Sequence, residues 1–298
     1  MRASPTFAFV VGAFGIALYS AMDAVMKLLT LQIGTYNALF WRIFATLILA
    51  GLVYVALRPA RPSGAAMRLH AVRGVVSAVM AVLFFWGLAR VPMAQAIALT
   101  YIAPLLAQFL AAVLLKERLS PAAIGASLVA SLGVGVILFG QARAELGEQA
   151  LLGAIAILCS AVCYAWNIIL MRQQSLVAKP AEVAFYQSIF VVASLALAAP
   201  WLAVAPPAHQ VPSVLLAAAL GGVSLALLSW AYARAPASYL APTEYTSFLW
   251  AALFGWLIFD EGLSLYTLAG AALIVGGCIA AARRRPETMA HEAEVALP

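Results

Sequence analysis

Charge is what this sequence has least of. Only 9% of its 298 residues are Asp, Glu, Lys or Arg, while 65% are hydrophobic. A soluble domain carries roughly 25% charged residues, because water has to solvate its surface. A chain this poor in ions cannot build such a surface, which leaves lipid as its main solvent. Histidine is scarce too: His70 and His209 fall in predicted loops and His291 in the tail. No His-Glu-x-x-His zinc motif occurs, and no nucleophile has a nearby base. The absence of a Gly-x-x-x-x-Gly-Lys phosphate loop excludes an ATP-driven pump within the chain. No catalytic residue, metal or cofactor is expected, and the chain is not read as an enzyme.

Cysteine is equally sparse. Cys159, Cys163 and Cys278 all lie in apolar stretches, which reads as small buried residues and excludes a disulfide framework. The net charge of +6 would suit an anionic partner such as nucleic acid, but its distribution in short loops has a simpler cause in membrane topology.

What the chain does have is long apolar runs. Bounded by charges, prolines and glycines, they predict helices near 6–30, 35–57, 69–89, 93–115, 121–140, 150–172, 181–202, 212–233, 237–259 and 264–282. At about 20 apolar residues per crossing, 298 residues accommodate ten spans. Helices rather than strands are expected, because the backbone must satisfy its own hydrogen bonds in lipid. Met1 to Pro5 run straight into the first span, which is too long for the apolar region of a signal peptide.

Basic residues set the orientation. With the N-terminus inside, cytoplasmic segments hold Arg2, Arg58, Arg61, Arg68, Arg73, Lys116, Arg118, Arg172, Lys179, Arg234 and Arg283 to Arg285, whereas the outer side holds Lys27, Arg90 and Arg143. This asymmetry places both termini in the cytoplasm and the chain in a bacterial inner membrane.

The most informative pattern is an internal repeat. Trp86-Gly-Leu-Ala-Arg90-Val-Pro92 recurs as Trp230-Ala-Tyr-Ala-Arg234-Ala-Pro236, 144 residues later. The same offset pairs Tyr101 with Tyr245, Glu117 with Glu261, Leu119 with Leu263 and Ser120 with Ser264. An offset of 145 aligns Phe40-Trp41-Arg42 with Phe185-Tyr186-Gln187, and Lys27 with Arg172. The chain therefore divides into a first five-helix repeat, 1–143, and a second, 144–298, with a short cytoplasmic tail. Five is odd, so the second repeat enters the membrane inverted. The fold class expected is an all-α polytopic membrane protein of two inverted-topology repeats, an arrangement typical of secondary transporters with a site between the halves.

This architecture, with an acidic residue closing the fourth span (Lys116-Glu117-Arg118-Leu119-Ser120) and its echo Asp260-Glu261-Gly262-Leu263-Ser264, resembles the drug/metabolite transporter superfamily. Within it the chain is similar to the EamA-type branch and to the YddG-type aromatic amino acid exporters. The resemblance spans nearly the whole chain. It implies a central cavity framed by helices one to four and six to nine, and export of amino acids or similar metabolites without ATP.

Depth gives candidate site residues independently. Tyr101 and Tyr245 each follow a proline by nine residues, which at 1.5 Å per residue puts them roughly 13 Å into a core about 30 Å thick. A buried phenol needs a partner, and the two tyrosines are expected to line the cavity or to pack helices together. Trp41 and Tyr186 form a second matched pair, and Trp166 also lies well inside its span. Trp86, Trp201 and Trp230 suit an interfacial belt. Pro104 and Pro242 are expected to kink their spans, freeing carbonyls at depth.

Intramembrane charges are few. Asp23 and Lys27 are four apart on helix one, which favours a local ion pair, and Arg42 lies at a depth comparable with Asp23, suited to pairing or gating. Glu244, beside Tyr245, has three roles open to it: contact with a substrate ammonium group, proton coupling, or a structural pairing. Gln108, Asn167 and Gln187 are polar groups suited to holding the ends of a zwitterion. A channel is the reading of a different class, but no glycine-rich filter or acidic ring is visible. The partners expected are a small-molecule substrate and the bilayer. Small residues at every fourth position, Ser127, Ser131 and Gly135 on helix five and Ala272, Gly276 and Ala280 on helix ten, suggest close packing within a monomer rather than a dimer interface.

Overall fold

The computed structural model describes residues 5–57, 62–115, 121–143, 147–175, 177–178, 180–234 and 237–283. The described residues form helices joined by short turns and loops. The first is α1 (Pro5–Leu57), 53 residues long, broken at Gly34, whose φ of 79° and ψ of 155° no helix contains. Only glycine adopts that conformation without strain, so the break falls there and creates two arms, 5–33 and 35–57. Next come α2 (Gly64–Leu88), α3 (Met93–Thr100), α4 (Ala103–Leu115), α5 (Pro121–Arg143) and α6 (Gly147–Ser175). The chain continues through α7 (Pro180–Ala196), the short α8 (Ala199–Leu202), a 3-10 turn at Ala208–Gln210, α9 (Val211–Tyr232), α10 (Ala237–Phe259) and α11 (Leu265–Arg283).

By length and composition, four helical stretches are long and apolar enough to cross a membrane: Thr6–Leu57, Gly64–Leu88, Gly147–Met171 and Ala208–Tyr232. Shorter apolar helices accompany them. The outer face is correspondingly apolar, with Leu52, Val55, Leu132, Leu197, Trp201 and Leu265 among its exposed side chains. An aqueous surface would not present so many large hydrophobics together.

The expected kink at Pro104 is a full break. Proline lacks the N–H and crowds the carbonyl four residues back, so α3 stops at Thr100, a turn occupies Tyr101 and Ile102, and α4 restarts at Ala103. The related α10 runs unbroken past position 242. The side chains of Pro242 and Gln108 lie outside the described residues, as does the whole Lys116–Ser120 motif.

Packing is paired. α1 lies against α9, α10 and α7; α6 lies against α2 and α4; α5 lies against α11. The α5–α11 contact depends on small residues, but not on the expected stripe. A Cβ on Gly135 or Gly276 would meet open space, whereas one on Gly133 would come within 2.6 Å of the Gly270 carbonyl oxygen and 2.8 Å of Ile274. The close approach therefore runs through Gly133 and Gly270, on a different face of each helix from the stripe.

The two copies of the Trp-x-x-x-Arg motif fold alike. The Arg90 guanidinium lies 3.6 Å from the Trp86 ring centroid and donates to the Trp86 carbonyl at 2.8 Å. Arg234 lies 4.1 Å from the Trp230 centroid and donates to the Trp230 carbonyl at 3.1 Å. Trp230 packs edge-on to Phe7, at the start of α1. Val91, next to Arg90, instead bonds Lys27, twenty residues further along the same arm, a rise of roughly 30 Å.

Candidate functional site

Tyr101 and Tyr245 meet. Their rings are 5.5 Å apart at 82°, the edge-to-face geometry favoured by aromatic quadrupoles. The break before Pro104 places Tyr101 between α3 and α4, from where its hydroxyl bonds Ser247 Oγ at 2.6 Å and the Tyr245 carbonyl at 3.3 Å. Ser247 in turn donates to the Glu244 carbonyl at 2.6 Å. The Glu244 carboxylate accepts from the Tyr232 hydroxyl at 3.0 Å. Three of the sequence-predicted residues, Tyr101, Tyr245 and Glu244, are thus brought into one cluster.

Two further tyrosines belong with them. Tyr19 and Tyr164 present 47% and 44% of their surface, yet each has charged side chains of other helical segments within electrostatic reach. Accessible surface that faces charges on neighbouring helices is turned towards the inside of the bundle. Asp23, Arg42, Tyr164 and Glu244 all lie within electrostatic reach of Tyr19, so these side chains surround one space. Tyr19 and Tyr164 were not singled out from the sequence, although the 145-residue offset relates them and was the available signal.

The intramembrane charges pair differently from expectation. Lys27 does not bond Asp23: its ammonium forms an ion pair with Glu261 and donates to the Val91 carbonyl at 2.7 Å. The other Glu261 oxygen accepts from the Met93 backbone N–H at 2.7 Å, and the Phe259 ring lies 4.9 Å from the ammonium. A carboxylate together with a carbonyl satisfies a buried ammonium better than Asp23, one turn deeper, alone would. Asp260 holds the left-handed conformation, φ 54°, and the Glu261 N–H bonds the Gly255 carbonyl at 3.0 Å. This C-terminal cap of α10 turns Glu261 back towards Lys27. The pair ties the first arm of α1 to the α2–α3 turn and the α10–α11 loop, closing one end of the bundle.

Arg42 does not pair with Asp23 either. Its NH1 bonds Met22 Sδ at 3.0 Å and the guanidinium lies 5.6 Å from the Phe85 centroid. Among the described residues, Asp23 Oδ1, Thr30 Oγ1 and Arg42 Nε are buried without a hydrogen-bond partner.

A second polar network lies between α2, α6 and α7. Asn167 accepts from Arg73 Nε at 2.8 Å and donates to Ser77 Oγ at 2.6 Å, and Gln187 donates to the same Ser77 oxygen at 3.0 Å. Arg73 also bonds Gln174, which reaches His70, and His70 meets Glu182 at 3.1 Å. Tyr186 stacks on His70 with centroids 5.5 Å apart. His70 was expected in a loop. It lies instead within α2, fully buried, because this network satisfies both ring nitrogens. Asn167 and Gln187 are therefore bonded to protein partners, in a network whose Arg73 lies within electrostatic reach of Tyr164.

Trp41 donates its indole N–H to the Val204 carbonyl at 2.8 Å, so it fastens the second arm of α1 to the loop after α8. Trp166 is 47% exposed. Two apolar grooves run along α5, one lined by Leu105, Phe109 and Leu128 and the other by Leu132, Phe139 and Tyr266. Neither includes a charged side chain. Among the described residues no group of three or more His, Cys, Asp or Glu could hold a metal ion.

Comparison with known proteins agrees with this picture. Residues 6–139 and 151–283 each match the EamA-like transporter family. The pseudopaline exporter CntI of Pseudomonas aeruginosa strain PAO1 is 30% identical over 274 residues, covering 90% of this chain and 93% of the exporter. A riboflavin transporter of Rhizobium johnstonii is 28% identical over 285 residues, covering 91% and 90%. An S-adenosylmethionine uptake transporter of Rickettsia bellii is 24% identical over 279 residues, covering 91% and 92%. One crystal structure superimposes with a TM-score of 0.61 at 21% identity, covering 95% of this chain and all of that one, a likeness of fold. The finer resemblance to aromatic amino acid exporters is not carried by these relatives.

Proposed function

The chain belongs to the EamA-like transporter family, and we propose that it is a secondary, not ATP-driven, exporter of amino acids, aromatic or other neutral ones, working by alternating access. The observation that carries this reading is a set of tyrosines and charges of both signs facing one another from different helices, with the Lys27–Glu261 pair fastening one end of the bundle. A carrier must close one side while the site is open to the other; a channel has no need to.

The same reading takes the chain as ten spans in two inverted repeats, with both termini in the cytoplasm of a bacterial inner membrane. Its support is geometric. The two Trp-x-x-x-Arg copies fold alike but lie near opposite ends of the first arm of α1, as inversion requires. The packing of α1 on α9 and α10 mirrors that of α6 on α2 and α4. The family match itself falls in two segments, 6–139 and 151–283. In this orientation the Lys27–Glu261 closure is external, and Glu244 and Tyr232 are reached from the cytoplasmic side.

Rings of Tyr19, Tyr164, Tyr101 and Tyr245 suit a flat or aromatic substrate. The relatives that transport riboflavin and S-adenosylmethionine favour a second reading, in which the substrate is a larger metabolite. Counterflow in proteoliposomes separates the two. Vesicles preloaded with phenylalanine or tryptophan should accelerate saturable uptake of the labelled amino acid, and Glu244→Gln should depress it. Acceleration by riboflavin but by no amino acid would replace the first reading with the second.

A further inference from the structure

We infer that Asp23 and Arg42 hold the two charges of a zwitterionic α-amino-acid head group, an inference that rests on the transport reading above. Asp23 is buried and Arg42 partly buried, on the two arms of α1, mutually within electrostatic reach, and neither is committed to the other. Asp23 Oδ1 and Arg42 Nε have no hydrogen-bond partner among the described residues, and NH1 has only a thioether sulfur, a weak acceptor. Opposite charges this close would ordinarily collapse into a bidentate pair. Kept apart, they leave one unused acceptor beside one unused donor.

The chemistry of the ligand follows from that spacing. In an α-amino acid the ammonium and carboxylate are carried by one carbon, so the groups that bind them must be neighbours. Asp23 and Arg42 are neighbours; Glu244, on α10, serves the opposite wall. Tyr19 lies one helical turn before Asp23, on the same face, about half exposed and within electrostatic reach of both Asp23 and Arg42. A head group on Asp23 and Arg42 would therefore leave its side chain against the Tyr19 ring. Across from Arg42, α9 presents Gly221, where an added Cβ would stand 4.0 Å from Arg42 NH1 and 3.8 Å from Met22. That is ordinary contact, so only a side chain larger than alanine's would crowd the guanidinium.

The test uses the full-length protein in proteoliposomes and three unlabelled competitors of labelled phenylalanine counterflow. Phenylalanine has both charges, phenethylamine lacks the carboxylate, and 3-phenylpropionate lacks the ammonium. The wild-type protein should prefer phenylalanine over either analogue by at least about tenfold, the value of a charge-assisted hydrogen bond. Asp23→Asn should lose discrimination against 3-phenylpropionate alone, and Arg42→Gln against phenethylamine alone. Gly221→Val should raise the half-saturating concentration for phenylalanine while leaving the protein monodisperse. Wild-type counterflow without discrimination among the three competitors would overturn the inference and leave the transport reading intact. So would two variants that lose activity with unchanged selectivity. Absence of counterflow with any amino acid would overturn both.

Discussion

Lys27 and Glu261, 234 residues apart in the chain, meet in an ion pair that also engages the Val91 carbonyl and the Met93 backbone N–H. One side chain comes from the first helix and the other from the loop before the last, so the pair fastens three segments at one end of the bundle. Breaking one partner of a buried pair costs about 3–5 kcal/mol, because the other charge is left uncompensated.

Lys27→Met is therefore expected to shift the conformational population away from the closed end. In a variant lacking Cys159, Cys163 and Cys278, a cysteine at Ser247 should react with an impermeant thiol reagent added from outside at least about tenfold faster once Lys27 is replaced, since a few kcal/mol moves a two-state equilibrium by that much or more. Unchanged labelling would show that the pair is structural only.

Tyr101→Phe removes the hydroxyl that bonds Ser247 at 2.6 Å. Loss of a typical intramolecular hydrogen bond should cost about 0.5–1.5 kcal/mol. Ser247→Ala should cost a similar amount, and the double variant less than the sum. Thermal unfolding in detergent gives all three values; strict additivity would mean the contact contributes nothing.

Gly270→Ala should destabilise the protein by about 1–3 kcal/mol, since the new methyl meets the Gly133 carbonyl oxygen at 2.6 Å as well as Ile137. Gly135→Ala and Gly276→Ala point into open space and should leave the melting temperature unchanged. The opposite ranking would place the α5–α11 contact on the other faces of the helices.

Asn167→Ala leaves Arg73 Nε and Ser77 without the amide they share. A buried polar group deprived of its partner costs about 1–3 kcal/mol, and the loss should appear as a lower unfolding temperature.

Much of this was legible in the sequence. Hydropathy marks most of the apolar helices, including the break of α1 near residue 34, but not the breaks after Thr100 and Ala196, and the 144-residue offset singles out Tyr101 and Tyr245 as a pair. Local rules failed where tertiary partners made a better offer. The i,i+4 spacing of Asp23 and Lys27 favours a local pair, but Glu261 lies more than 230 positions away and no local pattern brings it to Lys27. Trp41 was placed by depth alone, and depth does not foresee that its indole N–H bonds the Val204 carbonyl of a loop without periodicity. The small-residue stripes were visible, but which face of α5 meets α11 depends on helix rotation, which spacing does not fix. Tyr19 and Tyr164 show the converse: the repeat relates them, and only the charges they face on other helices reveal why that matters.

Alternating access, as proposed above, requires this end of the bundle to open and close. The direct measurement is counterflow by a Lys27→Cys, Glu261→Cys variant, free of its native cysteines, after bridging the two thiols with a short, reducible bifunctional thiosulfonate. The account predicts normal or raised flux before bridging, its abolition when bridged, and recovery after reduction. Flux that persists in the fully bridged protein would contradict alternating access through this end.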